Sequence, residues 1–178
     1  MNIKEQSFTL IELLVVVAIT GMMAGLIFAN LRSGGHVSDI NADAEKLSEI
    51  IKQAQMMSLS GKQIAGVRPD GGYGIYFDTG TSPHSYRLFV NDSLVSNYEY
   101  DASDTLIRTF NLIEQVNFDS IGHTTILFVP PKGIIYVSTG TGGSVLTSNS
   151  LITLKHIINL YSYVEVNAQG QVDVRKIQ

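Results

Sequence analysis

The chain has neither cysteine nor tryptophan among its 178 residues. Without cysteine it can be neither a disulfide scaffold nor a thiolate metal site, so a packed core must hold the fold. Charge is scarce as well: 16% of residues are Asp, Glu, Lys or Arg, against roughly 25% in an average soluble chain. With 44% hydrophobic residues and a mean hydropathy of +0.16, the composition argues against a disordered chain. A net charge of −4 argues against a basic coat for nucleic acid. The length allows one ordinary domain with an appendage.

The apolar excess sits near the N-terminus. Residues 13–31 are 19 consecutive positions without a charge, and starting from Phe8 gives 24 positions interrupted only by Glu12. At ~1.5 Å per residue the uncharged run reaches about 28 Å as a helix, close to the roughly 30 Å hydrocarbon core of a bilayer. A cleavable secretory signal has only ~7 to 15 apolar residues behind a basic segment. Here the run is longer, and residues 1–7 carry Lys4 against Glu5. A plain signal anchor accounts for the hydropathy but not for Glu12. A carboxylate in the middle of a span costs about 2.5 to 3.5 kcal/mol, and such groups usually have a partner or a function. Glu12 lies near the start of the span and costs less, which leaves a snorkelling interfacial carboxylate as the bland alternative.

The stretch Ser7-Phe8-Thr9-Leu10-Ile11-Glu12-Leu13-Leu14-Val15-Val16-Val17-Ala18-Ile19 resembles the class III signal of type IV prepilins and type II secretion pseudopilins. The resemblance implies that prepilin peptidase removes a leader, residues 1–7, by cutting between Ser7 and Phe8. It also implies N-methylation of Phe8 and a role for Glu12 in filament assembly. Two positions depart from the family: Ser7 stands where glycine is usual, and Ala29 where many type IV pilins carry proline. The spacing has a physical sense. Cleavage would place a cationic amine on Phe8, one helical turn from Glu12, and an acidic side chain in the first turn is favoured by the helix dipole. In a filament interior the carboxylate can instead face the amine of a neighbouring subunit and so set the axial register. Gly21 and Gly25 form a G-x-x-x-G pair that would let helices approach closely.

Beyond the span, Val37, Ile40, Ala44, Leu47, Ile51 and Ala54 recur in steps of three and four, with Asp39, Asp43, Glu45, Glu49 and Lys52 off the stripe. This predicts a half-buried helix packed on a sheet. Ser33-Gly34-Gly35 leaves room for an interruption, and Gly61 is the expected stop. After Gly61 the period switches to two. Strands are predicted over 64–67, 74–77, 86–90, 106–110, 115–118, 125–129, 134–137, 151–157, 161–166 and 171–177, with 139–150 as an exposed Gly/Ser/Thr loop. The segments Leu47-Ser48-Glu49-Ile50-Ile51-Lys52-Gln53-Ala54-Gln55, Gly72-Tyr73-Gly74-Ile75-Tyr76-Phe77, Tyr86-Arg87-Leu88-Phe89-Val90-Asn91 and Leu127-Phe128-Val129-Pro130-Pro131-Lys132-Gly133, followed by a closing hairpin over 164–172, are similar in order to the minor pseudopilin H and FimT (GspH/FimT) group.

Enzymatic signals are few. His36, His84, His123 and His156 are scattered, the glycine-rich 140–143 loop is followed by no G-K-[ST], and no G-x-S-x-G is present. DNA is the other class to weigh, because some FimT-type proteins act in DNA uptake through a basic C-terminal element. Here Asp173 precedes Arg175 and Lys176, and residues 33–178 carry 10 basic against 14 acidic side chains, so DNA is disfavoured as a partner.

The expected fold is therefore α+β: a long N-terminal helix, transmembrane in its first half and amphipathic in its second, packed on an antiparallel β-rich globular head. The expected organisation is a leader at 1–7, a transmembrane and filament-packing helix at 8–31, an amphipathic stem at 32–61 and a head at 62–178. Lys4 before the span and Arg32 after it hardly choose an orientation. The resemblance implies a single-pass protein of the bacterial inner membrane, N-terminus in the cytoplasm and head outside, that later enters a pilus or pseudopilus. Implied partners are other pilin or pseudopilin subunits, prepilin peptidase, the inner-membrane assembly platform and, before assembly, membrane lipid. No cofactor, metal or catalysis is expected. The alternative is a membrane-anchored binding protein, for example a DNA-uptake minor pilin of the FimT kind.

Overall fold

The computed structural model describes residues 9–92, 98–131, 133–140 and 143–176, with backbone alone for 29–34. The chain divides into two compact units, Met1–Val37 and Ser38–Gln178. The expected leader and the Ser7–Phe8 junction lie outside the described residues. A single helix, α1 (Leu10–Leu59), is assigned through residues 33–35, where the sequence leaves room for a break.

In the second unit α1 buries Ile40, Ala44, Leu47, Ile51 and Ala54, the apolar stripe read from the sequence. Asp43 and Ser48 are buried with them, which corrects the placing of Asp43 on the polar face. Three residues after Ile40, its side chain leaves the helix on the same side. The helix closes with a Schellman arrangement: the Lys62 amide donates to the Met57 carbonyl at 3.0 Å and the Gly61 amide to the Ser58 carbonyl at 3.1 Å. Gly61 takes a φ of 59°, in the left-handed region that such a cap requires.

Among the described residues ten strands follow: β1 (Tyr73–Asp78), β2 (Ser85–Val90), β3 (Thr105–Asn111), β4 (Val116–Ile121), β5 (Thr125–Val129), β6 (Ile134–Ser138), β7 (Gly143–Val145), β8 (Ser150–His156), β9 (Tyr161–Val166) and β10 (Val172–Lys176). They form a six-stranded sheet, β3-β2-β1-β5-β6-β7, and a four-stranded sheet, β10-β9-β8-β4. All the strand pairings are antiparallel. Alternate residues of both sheets join the α1 stripe in one core, with Ile75, Phe77, Leu88, Ile126 and Phe128 from the first sheet and Phe118, Ile152, Leu154, Val164 and Val166 from the second. The fold is the expected α+β arrangement of an N-terminal apolar helix, an amphipathic helical stretch and an antiparallel head.

Two predicted elements are corrected. Residues 64–67 are not a strand but a tight turn. The Ile64 and Val67 backbones exchange two hydrogen bonds, at 2.9 and 3.0 Å, around Ala65 and Gly66 with φ of 50° and 81°. Two positive φ values in the centre are the geometry of a hairpin turn that follows strand twist. The predicted loop at 139–150 contains β7, which pairs with β6.

Candidate functional site

The first turn of α1 is set by Thr9. Its carbonyl accepts the amides of Glu12 at 3.1 Å and Leu13 at 3.2 Å, and its hydroxyl oxygen accepts the Glu12 amide at 3.3 Å. Thr9 is thus the N-cap and Glu12 the third helical residue, the T-x-x-E pattern of a capping box. The sequence carries this signal in plain view, as the Thr9-x-x-Glu12 spacing ahead of the apolar run. Placed here, the exposed Glu12 carboxylate lies over the positive end of the helix dipole. Ser7 and Phe8, the expected cleavage and methylation positions, lie outside the described residues.

From Leu10 to Phe28 the helix is long and apolar enough to cross a membrane, with a mean hydropathy of 2.4 and none of the stretch buried. Leu10, Ile11, Leu13, Met22, Leu26 and Phe28 are all exposed. A helix that is apolar all round needs an apolar surround, which lipid or other helices supply. Thr20 has the hydroxyl of this stretch, and it donates back to the Val16 carbonyl at 2.9 Å and the Val17 carbonyl at 3.1 Å. A polar group satisfied inside its own helix tolerates lipid. A Cβ added at Gly21 or Gly25 would meet nothing within 4 Å, so nothing in this chain requires glycine there. The pair leaves two patches of bare backbone one turn apart.

The head holds its histidines in structural positions. His84 Nδ1 accepts the Phe118 amide at 3.0 Å, and its ring stacks on Phe118. His123 Nδ1 lies 3.0 Å from Ser150 Oγ, and burial lowers its pKa. His156 Nδ1 accepts the Ile158 amide at 3.3 Å. Among the described residues no three His, Asp or Glu side chains are grouped to hold a metal ion. The two cations of the last strand are engaged: Arg175 pairs with Glu165 at 2.7 Å, and Lys176 with Glu45 of α1.

Residues 3–28 match the family model of the prokaryotic N-terminal methylation motif. Residues 3–28 thus carry a type IV prepilin-like methylation motif. The match takes in Ser7, Phe8, Glu12, Gly21 and Gly25 and ends where the apolar helix ends. No curated protein and no solved structure matches the chain. The prepilin-like motif points to a structural subunit that assembles with other pilin subunits and is processed by prepilin peptidase. With the apolar helix, it accords with membrane anchoring.

Proposed function

We propose that this protein is a minor structural subunit of a type II secretion pseudopilus or type IV pilus, of the GspH/FimT kind, without catalysis of its own. The observation that carries the reading is one carboxylate, Glu12, in the first turn of a helix whose apolar surface from Leu10 to Phe28 is exposed on every side. In this reading prepilin peptidase cuts between Ser7 and Phe8, Phe8 is N-methylated, and residues 8–31 cross the inner membrane with the head outside. Residues 32–61 form the stem and 62–178 the head.

On assembly the helix exchanges lipid for neighbouring helices, two environments of similar polarity, so hydrophobicity cannot choose the register. The pairing of Glu12 with the Phe8 amine of a neighbour chooses it, because a shifted subunit would leave a charge unpaired in a low-dielectric interior. Bare backbone at Gly21 and Gly25 lets a neighbouring helix come close. The ion pairs of Arg175 and Lys176 favour this reading over DNA capture, since each cation would have to leave a carboxylate to meet a phosphate.

Glu12→Ala tests the assembly role. The variant is expected to keep a folded head and to be absent from sheared filaments in cells that also make the other subunits. Incorporation at the wild-type level would overturn the role given to Glu12.

A further inference from the structure

The hairpin between β8 and β9 has an unusual tip. Turns are ordinarily built of Gly, Asn, Asp, Pro and Ser, yet this one presents Ile157 and Ile158, exposed by 60% and 49%. The tip is firmly shaped. The His156 amide donates to the Leu160 carbonyl at 2.9 Å, the Ile158 amide to His156 Nδ1 at 3.3 Å, and Asn159 takes a φ of 61°.

Its place in the head is fixed by three contacts. Ser162 Oγ donates to Asn41 Oδ1 at 2.9 Å. The Ile157 amide donates to the Gln115 carbonyl at 3.1 Å, and the neighbouring Ile113 amide donates to Asp43 at 2.7 Å. The tip therefore stands beside residues 41–43, at the end of the head where the chain enters from residue 37. Ile113, 38% exposed, lies at the same end. Tyr161 follows the tip, with the Lys155 amine 5.5 Å from its ring centre and 3.4 Å from Asp119. Isoleucine at the point and a Tyr–Lys pair behind it are the residue types that settle at the boundary of acyl chains and headgroups.

We propose that the Ile157–Ile158 tip dips into the bilayer interface while the protein waits in the membrane, giving the head a second, reversible hold on lipid. The proposal rests on the membrane-anchored reading above. Lipid is the favoured occupant because of the tether: only the nine residues 29–37 separate Phe28 from Ser38, at most about 35 Å of chain at full extension, so an anchored head stays close to the bilayer before any filament exists.

The absence of tryptophan provides a clean reporter. The full chain with Ile157→Trp is reconstituted in phosphatidylethanolamine–phosphatidylglycerol vesicles brominated on the acyl chains, at a protein-to-lipid ratio low enough to keep chains apart. Ile158→Trp repeats the measurement at the adjacent position. Ile134→Trp is the reference, because β6 begins beside Gly133, which lies against Leu59 at the other end of the buried stretch of α1. The expected result is blue-shifted emission from Trp at 157 or 158 and its loss on lipid bromination, with emission from position 134 unchanged. Protein that floats with the vesicles while all three positions stay unquenched overturns the lipid contact alone. A blue shift that grows with protein density and ignores bromine overturns it in favour of a neighbouring subunit. Protein that fails to float overturns the anchored reading and this one together.

Discussion

The Asp43 carboxylate accepts the amide proton of Ile113 at 2.7 Å. Seventy residues apart in sequence, the two join the first buried turns of α1 to the connection between β3 and β4, where the chain crosses from the six-stranded sheet to the four-stranded one. Burial pushes the Asp43 carboxyl above its ordinary 3.8, and the charge of Asp39 adds to this, while the Ile113 amide and Lys46 oppose it. A carboxyl whose pKa is raised by folding holds its proton more tightly in the native state. Its contribution to stability is therefore complete below the unfolded value of roughly 3.9 and is lost as pH rises through the native value. Asp43→Asn is expected to remove that slope in denaturant titrations run from about pH 4 upward. Asp43→Ala is expected to cost about 1 to 3 kcal/mol by stranding the Ile113 amide.

Tyr86 contributes a buried ring at 5.2 Å from Phe110, but its hydroxyl has no hydrogen-bond partner among the described residues. Burial, and after it the charge of Asp43, pushes that hydroxyl well above its usual value of 10. Tyr86→Phe keeps the ring and removes an unsatisfied polar atom. The variant is expected to gain about 1 kcal/mol in urea unfolding of the solubilised chain. A loss of that size would show that the hydroxyl is in use.

Gly143 has no room for a side chain, because an added Cβ would overlap the Tyr98 side chain. Tyr98 in turn stacks on Tyr136 of β6 with ring centres 4.1 Å apart, and Tyr136 pairs with Val145 of β7. Gly143→Ala is expected to destabilise the head by about 1 to 3 kcal/mol. In the Tyr98→Gly background, which removes the Tyr98 Cβ as well as its ring, the same change is expected to cost little. Additive effects in this double-mutant cycle would contradict the packing described.

Much of the fold is legible in the sequence because its signals are local. The step of three and four from Ile40 to Ala54 gives the buried face of α1, and the alternation in β9 marks a strand packed on one side. Residues 64–67 misled because Ile64 and Val67 are strand formers on either side of a two-residue turn, and only the positive φ values of Ala65 and Gly66 reveal it. β7 is invisible for the opposite reason: Gly143 and Ser144 have little strand preference, and pairing with β6 makes the strand. The division into two sheets and the burial of Asp43 are set by contacts far apart in sequence, which no window of residues reports. At the candidate site, Phe8, Glu12 and the glycine pair are legible as a motif. The N-cap by Thr9 is equally legible once T-x-x-E is read as a helix start.

The central claim is that the chain is a processed prepilin whose new N-terminus is Phe8. Mass spectrometry of the protein taken from native membranes tests it most directly. The account predicts a chain that begins with N-methyl-Phe8, despite serine in place of glycine at position 7. A chain that still begins at Met1 would contradict it and leave an uncleaved membrane anchor carrying a β-rich head.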